Sequence, residues 1–327
     1  MKVLVTGASG MLGAGVARAL AARGDEVTVL QRRPAGLGLT EVLADVADPA
    51  AVRAAVAGQD AVVHLAAKVN VVGPWPAYER ANVTGTRAVL EACRATGVTR
   101  LVQVSSPSVA HAGSSLVGVG AEPADPEHAR GPYARSKAIS ERAALAADGT
   151  GSGPLAVVAV RPHIVWGPGD PQLVERIVAR ARTGRLPVIG SGAALVDTTY
   201  VDNAVDALVA ALDHATEVHG EAFVVSNGEP RPIGELFGDF CAAAGVPRPS
   251  RHVPARLAIA AGAVVERVWS RRHRDGVGDP PITAFLAEQL STAHWFDQRR
   301  TREALHWTPR VSIDEGLERL AAHYRRR

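Results

Sequence analysis

The sequence of 327 residues contains few cysteines, few aromatic residues and no long apolar run. Its two cysteines, Cys93 and Cys241, lie in helical patterns. They are too few for a disulfide framework, which favours a reducing compartment and predicts a cytoplasmic protein. The nearest candidate for a membrane span, Leu257–Val265, ends at a Glu-Arg pair and is far shorter than the roughly 18 residues that a span needs. The first two residues lead directly into a strand pattern, so we expect no signal peptide.

A strong excess of charge is also absent. The formal net charge is +3, and its arginines are scattered, so we expect no nucleic-acid partner. Aromatic residues make up 4% of the chain, so the core must be built from Ala, Val and Leu. The histidines show no metal-ligand spacing, and we therefore expect no metal.

The first half alternates Val- and Leu-rich runs with Ala-rich helical patterns. Several runs are apolar throughout, as strands buried on both faces should be, and this predicts an α/β Rossmann fold with a doubly wound parallel sheet. The predicted strands are Lys2–Thr6, Glu26–Leu30, Glu41–Ala44, Ala61–Leu65, Leu101–Val104 and Leu155–Val160. The predicted helices are Met11–Ala22, Pro49–Ala57, Tyr78–Thr96 and a helix that begins near Tyr133.

The second half is richer in Pro and Gly and predicts a smaller, mostly helical C-terminal lobe. Its expected elements are helices at Pro171–Thr183 and Val201–His214, a returning strand at Glu221–Ser226 and helical sequence from Pro232 onward. We predict a dinucleotide-binding domain at residues 1–165, with a return segment at 198–226, and a substrate-binding lobe at 166–197 and 227–327.

Three glycines spaced three apart connect the first predicted strand to the first predicted helix. Gly7 permits a tight turn, Gly10 lets the backbone approach a pyrophosphate, and Gly13 lets the helix pack close to the strand. The helix N-terminus adds free N–H groups and a positive dipole end. This placement predicts a nicotinamide dinucleotide site that also includes Ser9, Met11 and Leu12.

The second strand is followed by Gln31, Arg32 and Arg33, where an NAD site usually has an acidic residue. An arginine pair suits the 2′-phosphate of NADP(H), although NAD(H) and solvated arginines remain alternatives. Asp45 and Val46 follow the third strand, where such folds often bind the adenine. Asp45 as a plain helix-approach residue is the alternative.

Ser105, Ser106 and Ser108 end the fifth strand, and Tyr133 and Lys137 follow at the i and i+4 spacing that places two side chains on one helical face. A nearby ammonium lowers the pKa of a phenol, which then exchanges protons near neutral pH. We therefore predict a Ser-Tyr-Lys catalytic site, with Ser106 favoured among the serines.

The motifs TGASGMLG, HLAA, NVTGT, VSSPSV, YARSK and RPHIVWGPGD occur in this order, and the chain resembles the extended short-chain dehydrogenase/reductases over nearly its whole length. VDTTYVDNAVDAL, VSNGEP and STAHWFD narrow the resemblance to the 3β-hydroxysteroid dehydrogenase-like branch, and within it to the 2-alkyl-3-oxoalkanoate reductases of bacterial olefin synthesis. The stretch Ala112–Arg130 follows no subfamily pattern.

The resemblance implies roles for further residues. It places Asn82 behind the catalytic site, and cofactor contacts at Leu65, Ala66, Ala67, Pro162, His163 and Val165. Substrate contacts are expected at Val69, Trp75, Ser108 and Trp166. Val71 and Val72 are expected in the same apolar pocket, with core packing as the alternative. We expect His64, at the end of the fourth strand, to be structural, with a contact to the cofactor as the alternative.

These features predict NADP(H)-dependent reduction of a bulky apolar ketone, most similar to the reduction of a 2-alkyl-3-oxoalkanoate to the 3-hydroxy acid. A 3β-hydroxysteroid dehydrogenase, a nucleotide-sugar epimerase or dehydratase and a non-catalytic NADP-binding sensor are alternatives. The mostly apolar loop 163–166 disfavours a sugar nucleotide, and the Tyr-Lys pair disfavours a sensor. The resemblance implies a homodimer. The arginine-rich segment 267–274 is either a solvated face or a contact with a membrane surface or with a partner such as another enzyme of the pathway.

Overall fold

The computed structural model describes residues 1–70, 72–111, 113–150, 154–272, 280 and 282–326. Its strands, in chain order, are β1 (Lys2–Thr6), β2 (Glu26–Gln31), β3 (Thr40–Leu43), β4 (Ala61–His64), β5 (Arg100–Val104), β6 (Leu116–Val119), β7 (Ala156–Pro162), β8 (Val165–Trp166), β9 (Val188–Ile189), β10 (Leu195–Val196), β11 (Thr199–Tyr200), β12 (Ala222–Val225), β13 (Arg231–Pro232), β14 (His252–Val253) and β15 (His294–Phe296).

The helices, in chain order, are α1 (Met11–Ala22), α2 (Pro49–Val56), α3 (Trp75–Tyr78), α4 (Gly85–Thr96), α5 (Gly131–Leu145), α6 (Val174–Arg182), α7 (Val201–Asp213), α8 (Ile233–Ala243), α9 (Ala255–Arg272), α10 (Ala284–Gln289), α11 (Arg299–Ala304) and α12 (Ile313–Arg325). A π-helical segment, Glu79–Thr84, joins α3 to α4, and a 3-10 helix, Pro107–Ala110, follows β5.

Seven parallel strands form the main sheet in the order β12-β7-β5-β4-β1-β2-β3. The chain winds outward from β1 in one direction and from β4 in the other, so the switch point lies between these two strands. In open α/β sheets, ligands bind outside the carboxyl ends of the strands at such a point. The predicted Rossmann fold is confirmed.

The apolar strands bury side chains on both faces of this sheet. Val3 and Val5 of β1 pack on one side with α1 and α7, and Leu4 packs on the other with α2 and α4. Successive side chains on a strand point to opposite faces of the sheet, so neighbouring residues of β1 pack against different helices. The scaffold that carries the site is therefore covered by helices on both sides.

A second, four-stranded sheet has the order β13-β10-β15-β6. It joins Leu116 of β6, which lies in the stretch without a family pattern, to His294 of β15. The prediction of helical sequence from Pro232 onward is therefore wrong for the short strands β13, β14 and β15. Segments of two or three residues carry too little periodicity to be distinguished from the breaks between helices.

Two predicted helices differ from the helices that the structure shows. The segment predicted as one helix at Tyr78–Thr96 is interrupted by the π-helical turn. The helix predicted from Pro171 begins at Val174, because the Asp170 carboxylate accepts the N–H groups of residues 172, 173 and 174. None of the described helices is both long and apolar enough to cross a membrane. The arginine-rich segment 267–274 lies partly outside the described residues.

Candidate active site

The glycine turn between β1 and α1 is packed against the loop after β4. Gly7 has a φ of +79°, and a Cβ there would lie 2.8 Å from the backbone nitrogen of Ala66. A Cβ at Gly13 would lie 2.4 Å from the Gly7 carbonyl oxygen. A Cβ at Gly10 would meet that oxygen at 3.6 Å, an ordinary contact. The fold therefore requires glycine at positions 7 and 13, whereas position 10 opens toward space that a ligand can use.

The residues that follow β2 lie at the same edge of the main sheet as the glycine turn. Gln31 is 4% exposed, and both polar atoms of its amide lack a hydrogen-bond partner among the described residues. Arg32 and Arg33 are exposed, and no described residue forms an ion pair with either. Asp45 accepts the N–H of residue 47 and pairs with Arg80 at 3.0 Å, contacts that hold the pKa of its carboxyl below the usual value.

Asn82 connects the loop after β4 to the helix that carries Tyr133. Its amide accepts the Lys68 N–H at 2.7 Å and donates to the Ser136 hydroxyl at 2.8 Å. The Ser136 hydroxyl in turn donates to the Tyr133 carbonyl oxygen at 2.8 Å. Asn82 lies in the π-helical segment and is 1% exposed. The structure therefore gives it a positioning geometry for the start of α5.

A second anchor of α5 escaped the sequence analysis. The Arg161 guanidinium, at the end of β7, forms a buried bidentate ion pair with Glu141 of α5. It also donates to the carbonyl oxygen of Glu122 at 2.7 Å. Because Glu141 lies one turn after Lys137, this pair fixes the part of α5 that presents the predicted catalytic residues.

The hydroxyl groups after β5 face the beginning of α5. Ser106 Oγ accepts the Ser108 N–H at 3.3 Å and the Ser108 hydroxyl at 3.0 Å. Its own proton is left to donate, and its hydroxyl lies close enough to Tyr133 to influence the pKa of that phenol. Ser105 is 6% exposed, and its Oγ has no partner among the described residues. The geometry thus singles out Ser106 and Ser108 as the serines beside the tyrosine.

The electrostatics of the tyrosine differ from the sequence-based expectation. Burial raises the pKa of Tyr133, and the neighbouring Ser106 hydroxyl opposes this change. The Lys137 ammonium donates to the Val104 carbonyl oxygen. Burial lowers the pKa of Lys137 to about 8, against the attraction of Glu141. The predicted lowering of the Tyr133 pKa by Lys137 is wrong for this arrangement, since the ammonium faces a backbone carbonyl and burial dominates.

These residues open into a cavity of about 140 Å³. Its polar lining comes from hydroxyl, amide and imidazole groups, and the remainder is mostly apolar. The lining residues are Ser106, Pro107, Ser108, His111, Leu116, Tyr133, His163, Ile164, Phe285, Gln289, His294 and Phe296. The cavity therefore lies between the 3-10 helix, α5, the small sheet and α10.

The model of the NAD dependent epimerase/dehydratase family matches residues 3–226. The chain belongs to this family. It is 44% identical to a 2-alkyl-3-oxoalkanoate reductase of Stenotrophomonas maltophilia (strain K279a), with coverage of 98% of this chain and 99% of that protein. It is 38% identical to a 2-alkyl-3-oxoalkanoate reductase of Shewanella oneidensis, with coverage of 97% and 85%. The solved structure of MoeE5 in complex with UDP-glucose and NAD matches with a TM-score of 0.76 at 26% identity, covering 100% of this chain and 99% of that one.

The predicted resemblance to the extended short-chain dehydrogenase/reductases is confirmed, and this member of the epimerase/dehydratase family is an NAD(P)-dependent oxidoreductase. Three features fit a nicotinamide dinucleotide: the open position at Gly10, the N-terminus of α1 with no acidic residue in its first turn, and the unpartnered Gln31 amide. The first N–H groups of a helix have no acceptor within the helix and suit phosphate oxygens.

The remaining predicted cofactor residues lie in four segments of the chain, and their contacts with a cofactor stay a prediction. Ser9 is exposed, Met11 and Leu12 are half-buried in the first turn of α1, and Val46 is buried against Gly85. Leu65, Ala66 and Ala67 form the loop that faces Gly7. Pro162 ends β7, His163 follows it, and Val165 begins β8. Of these residues His163 also lines the cavity, with its Nδ1 2.6 Å from the Asp197 carbonyl oxygen.

Trp166 does not lie where the sequence analysis placed it. It is fully buried in an apolar cluster, edge-on to Tyr200 and Phe240 at centroid distances of 5.4 and 4.9 Å. Its indole N–H donates to Thr198 at 2.9 Å. Strand β8 pairs with β11 and turns the indole away from its neighbour Val165.

The other predicted apolar wall also lies elsewhere. Val69 is 43% exposed, and the half-buried Trp75 lies under the Arg135 guanidinium, 4.8 Å from the ring centroid. Neither belongs to the described lining of the cavity, Val72 is half-buried outside it, and Val71 lies outside the described residues. The apolar lining comes instead from β6, β15 and α10, which the chain brings together from distant parts of the sequence.

His64 has the structural contacts expected of it, since its ring nitrogens lie 2.7 Å from Thr6 Oγ1 and 3.1 Å from Thr86 Oγ1. Sequence reasoning missed two cavity histidines, His111 and His294. The motif STAHWFD contained His294 and was a usable signal for it. His111 lies beside the stretch without a family pattern and gave no signal.

The expectation of no metal stays a prediction. Among the described residues, His214, Glu217 and His306 place three candidate ligand atoms within 4.8 Å of one another, outside the cavity lining.

Proposed function

We propose that the protein uses NADPH to reduce the ketone of a 2-alkyl-3-oxoalkanoate, a β-keto acid, to the 3-hydroxy acid. The observation that carries this proposal is the convergence of Ser106, Ser108 and Tyr133 on one cavity whose other walls are mostly apolar. The names of the relatives at 44% and 38% identity support the same substrate class.

In this mechanism Tyr133 is the general acid. Because burial raises the pKa of Tyr133, the phenol keeps its proton at neutral pH. It donates this proton to the substrate oxygen as that oxygen gains negative charge. General acid catalysis by a positioned side chain contributes about 10²–10⁴ in rate.

Ser106 holds the substrate oxygen in line with the phenol. Its Oγ already accepts two hydrogen bonds from Ser108, so its remaining hydrogen-bonding capacity is the donation of its proton. A donor with fixed direction costs little reorganisation when charge develops on the oxygen. Ser108 is thus a positioning residue for Ser106.

The nicotinamide cofactor supplies the hydride when bound. We assign its pyrophosphate to the glycine turn at residues 7–13 and its ribose near Lys137, with Leu65, Ala66 and Ala67 beside it. We assign its adenosine end to Gln31, Asp45 and Val46, and its 2′-phosphate to Arg32 and Arg33. The exposed guanidinium groups are free to form charge-assisted bonds with a phosphate.

The substrate oxygen lies in this proposal at the junction of two parts of the chain. We assign the cofactor to residues 1–165 and 198–226, and the substrate to residues 166–197 and 227–327. Leu116 of β6 belongs to the first part and completes the apolar wall of the second. Alkyl groups of the substrate pack against Leu116, Ile164, Phe285 and Phe296.

A pair of neighbouring serines tests this assignment. Ser106→Ala should lower kcat for a β-keto acid at least tenfold, whereas Ser105→Ala should leave it unchanged, because Ser105 Oγ has no partner among the described residues. Tyr133→Phe should lower kcat by about 10²–10⁴ and leave NADPH binding intact. Wild-type kcat in Tyr133→Phe would refute the assignment of the acid.

The substrate class is tested with a homologous series of β-keto acids. Each methylene that enters an apolar wall contributes about 0.8 kcal/mol, so kcat/KM should rise about fourfold per carbon until the cavity is filled. UDP-glucose is the control for a sugar enzyme. Turnover of UDP-glucose with no activity on any ketone would replace this proposal with an epimerase.

A further inference from the structure

Three histidines from separate elements meet on one wall of the cavity. The rings of His111 and His294 lie edge to face with centroids 4.9 Å apart, and His163 lies 6.2 Å from His294. His111 follows the 3-10 helix that begins after Ser106, and His294 opens strand β15. The histidine wall therefore belongs to the same cavity as the predicted catalytic hydroxyls.

Two of these rings carry unsatisfied nitrogens. His111 and His294 are each 1% exposed. Both ring nitrogens of His111, and Nδ1 of His294, lack a hydrogen-bond partner among the described residues. His163 differs, since its Nδ1 lies 2.6 Å from the Asp197 carbonyl oxygen. Buried polar atoms are normally hydrogen-bonded, so the two unsatisfied rings point to a ligand group in the cavity.

The chemistry of the cavity lining indicates which class of ligand group would satisfy the two rings. No carboxylate occurs among the described residues that line the cavity, and the polar groups near the two rings are hydroxyls and the Gln289 amide. Burial lowers the pKa of His111 and of His294, so both rings are neutral there. A neutral imidazole has one N–H donor, and two such donors match the two oxygens of a carboxylate.

In a β-keto acid a single carbon separates the ketone carbon from the carboxylate carbon. If Ser106 and Tyr133 hold the ketone, the carboxylate must lie within the same small cavity of about 140 Å³. The two imidazoles are donors in this cavity whose nitrogens no described residue satisfies. A neutral sterol ketone has no group that would satisfy them.

We propose that His111 and His294 form a carboxylate subsite that holds the acid group of the substrate while Ser106 and Tyr133 hold its ketone. This subsite makes the enzyme selective for keto acids over the ketones that lack only the carboxylate. It rests on the proposed ketone reduction, and its test compares two ketones for that reason.

The test uses 3-oxodecanoate and 2-nonanone, which differ by the carboxylate. His111→Leu and His294→Leu should each lower kcat/KM for 3-oxodecanoate about ten- to hundredfold, the range expected for a lost hydrogen bond to a charged group. Each variant should change kcat/KM for 2-nonanone less than twofold. Phe285→Leu, an apolar change in the same lining, is the matched control and should affect both substrates equally.

Each outcome separates the subsite from the proposed function. If wild-type enzyme reduces neither ketone, the proposed reduction fails. If it reduces both and the histidine variants lose activity on both equally, the reduction stands and the subsite is wrong.

A binding measurement covers variants that fold poorly. 3-Hydroxydecanoate should bind the wild-type enzyme at least tenfold more tightly than 2-nonanol, as measured by calorimetry, and equal affinity for the two alcohols would overturn the subsite. His111→Gln, which keeps an N–H donor, should restore part of the affinity for 3-hydroxydecanoate that His111→Leu loses.

Discussion

Acidification should destabilise this protein steeply between pH 7 and pH 5, because four histidines, His64, His111, His163 and His294, are buried in the neutral form. Burial lowers the pKa of His64 to about 3, of His163 to about 4 and of His294 to about 3. In the unfolded chain histidines titrate near 6.5. Below that pH these histidines are protonated in the unfolded chain but stay neutral in the folded protein, so the stability present above pH 6.5 is lost as pH falls.

The magnitude follows from these values. Each pH unit below 6.5 lowers the free energy of unfolding by about 1.4 kcal/mol per histidine. At pH 5 each of the three histidines with these values therefore lowers it by about 2 kcal/mol, and together they lower it by about 6 kcal/mol. Asp197 titrates in the opposite direction, because burial raises its pKa to about 6. Its stabilising effect grows as pH falls below 6 and returns about 1 kcal/mol at pH 5. The net loss of about 5 kcal/mol is comparable with the whole stability of many domains.

Urea denaturation followed by circular dichroism at pH 7, 6 and 5 measures this loss directly. His64→Gln should reduce the loss between pH 7 and pH 5 by about 2 kcal/mol, although it lowers stability at every pH by removing contacts with Thr6 and Thr86. His128→Gln, at an exposed position, is the control and should keep the full loss. A free energy of unfolding that stays flat from pH 7 to pH 5 would refute the reasoning.

Three further predictions concern the residues assigned to the cofactor. Gly13→Ala should destabilise the fold by about 1–3 kcal/mol, because its Cβ would lie 2.4 Å from the Gly7 carbonyl oxygen, as measured by thermal unfolding. Gly10→Ala should keep the melting temperature and weaken NADPH binding in a fluorescence titration; unchanged binding would show that the phosphates lie elsewhere. Replacing both Arg32 and Arg33 by Ser should lower the ratio of kcat/KM for NADPH to that for NADH at least tenfold, and a native enzyme that uses NADH equally well would contradict this assignment.

The periodic parts of the chain were predictable because their evidence is local. The strand at Lys2–Thr6 and the helix at Met11–Ala22 were predicted with the bounds that the structure has. Their apolar runs and glycines reflect burial on both faces and a turn with positive φ. The interrupted helix at 75–96 was not predictable in this way, because the π-helical turn is stabilised by Asn82 contacts with residues far along the chain.

The apolar residues predicted to contact the substrate show most clearly what could not be predicted from the sequence. Trp166 and Val69 are apolar residues near strand ends, and the sequence offered no way to tell that one is buried in another core and the other exposed. The wall that the structure shows includes Leu116 and His294, which are separated by 178 residues and paired across two short strands. Neither strand is long enough to carry a recognisable period.

The sequence by itself determined the glycine turn, which depends on spacing within one segment, and the Rossmann sheet, which depends on the alternation of apolar runs and helical patterns. The resemblance to the short-chain dehydrogenase/reductases also came from the sequence, through motifs in a fixed order along the chain. Tertiary structure alone decided where Trp166 lies, and that burial raises the Tyr133 pKa while Lys137 donates to a backbone carbonyl. Burial and pKa depend on every element that packs around a group, and two rings as distant in sequence as His111 and His294 meet only when the small sheet forms.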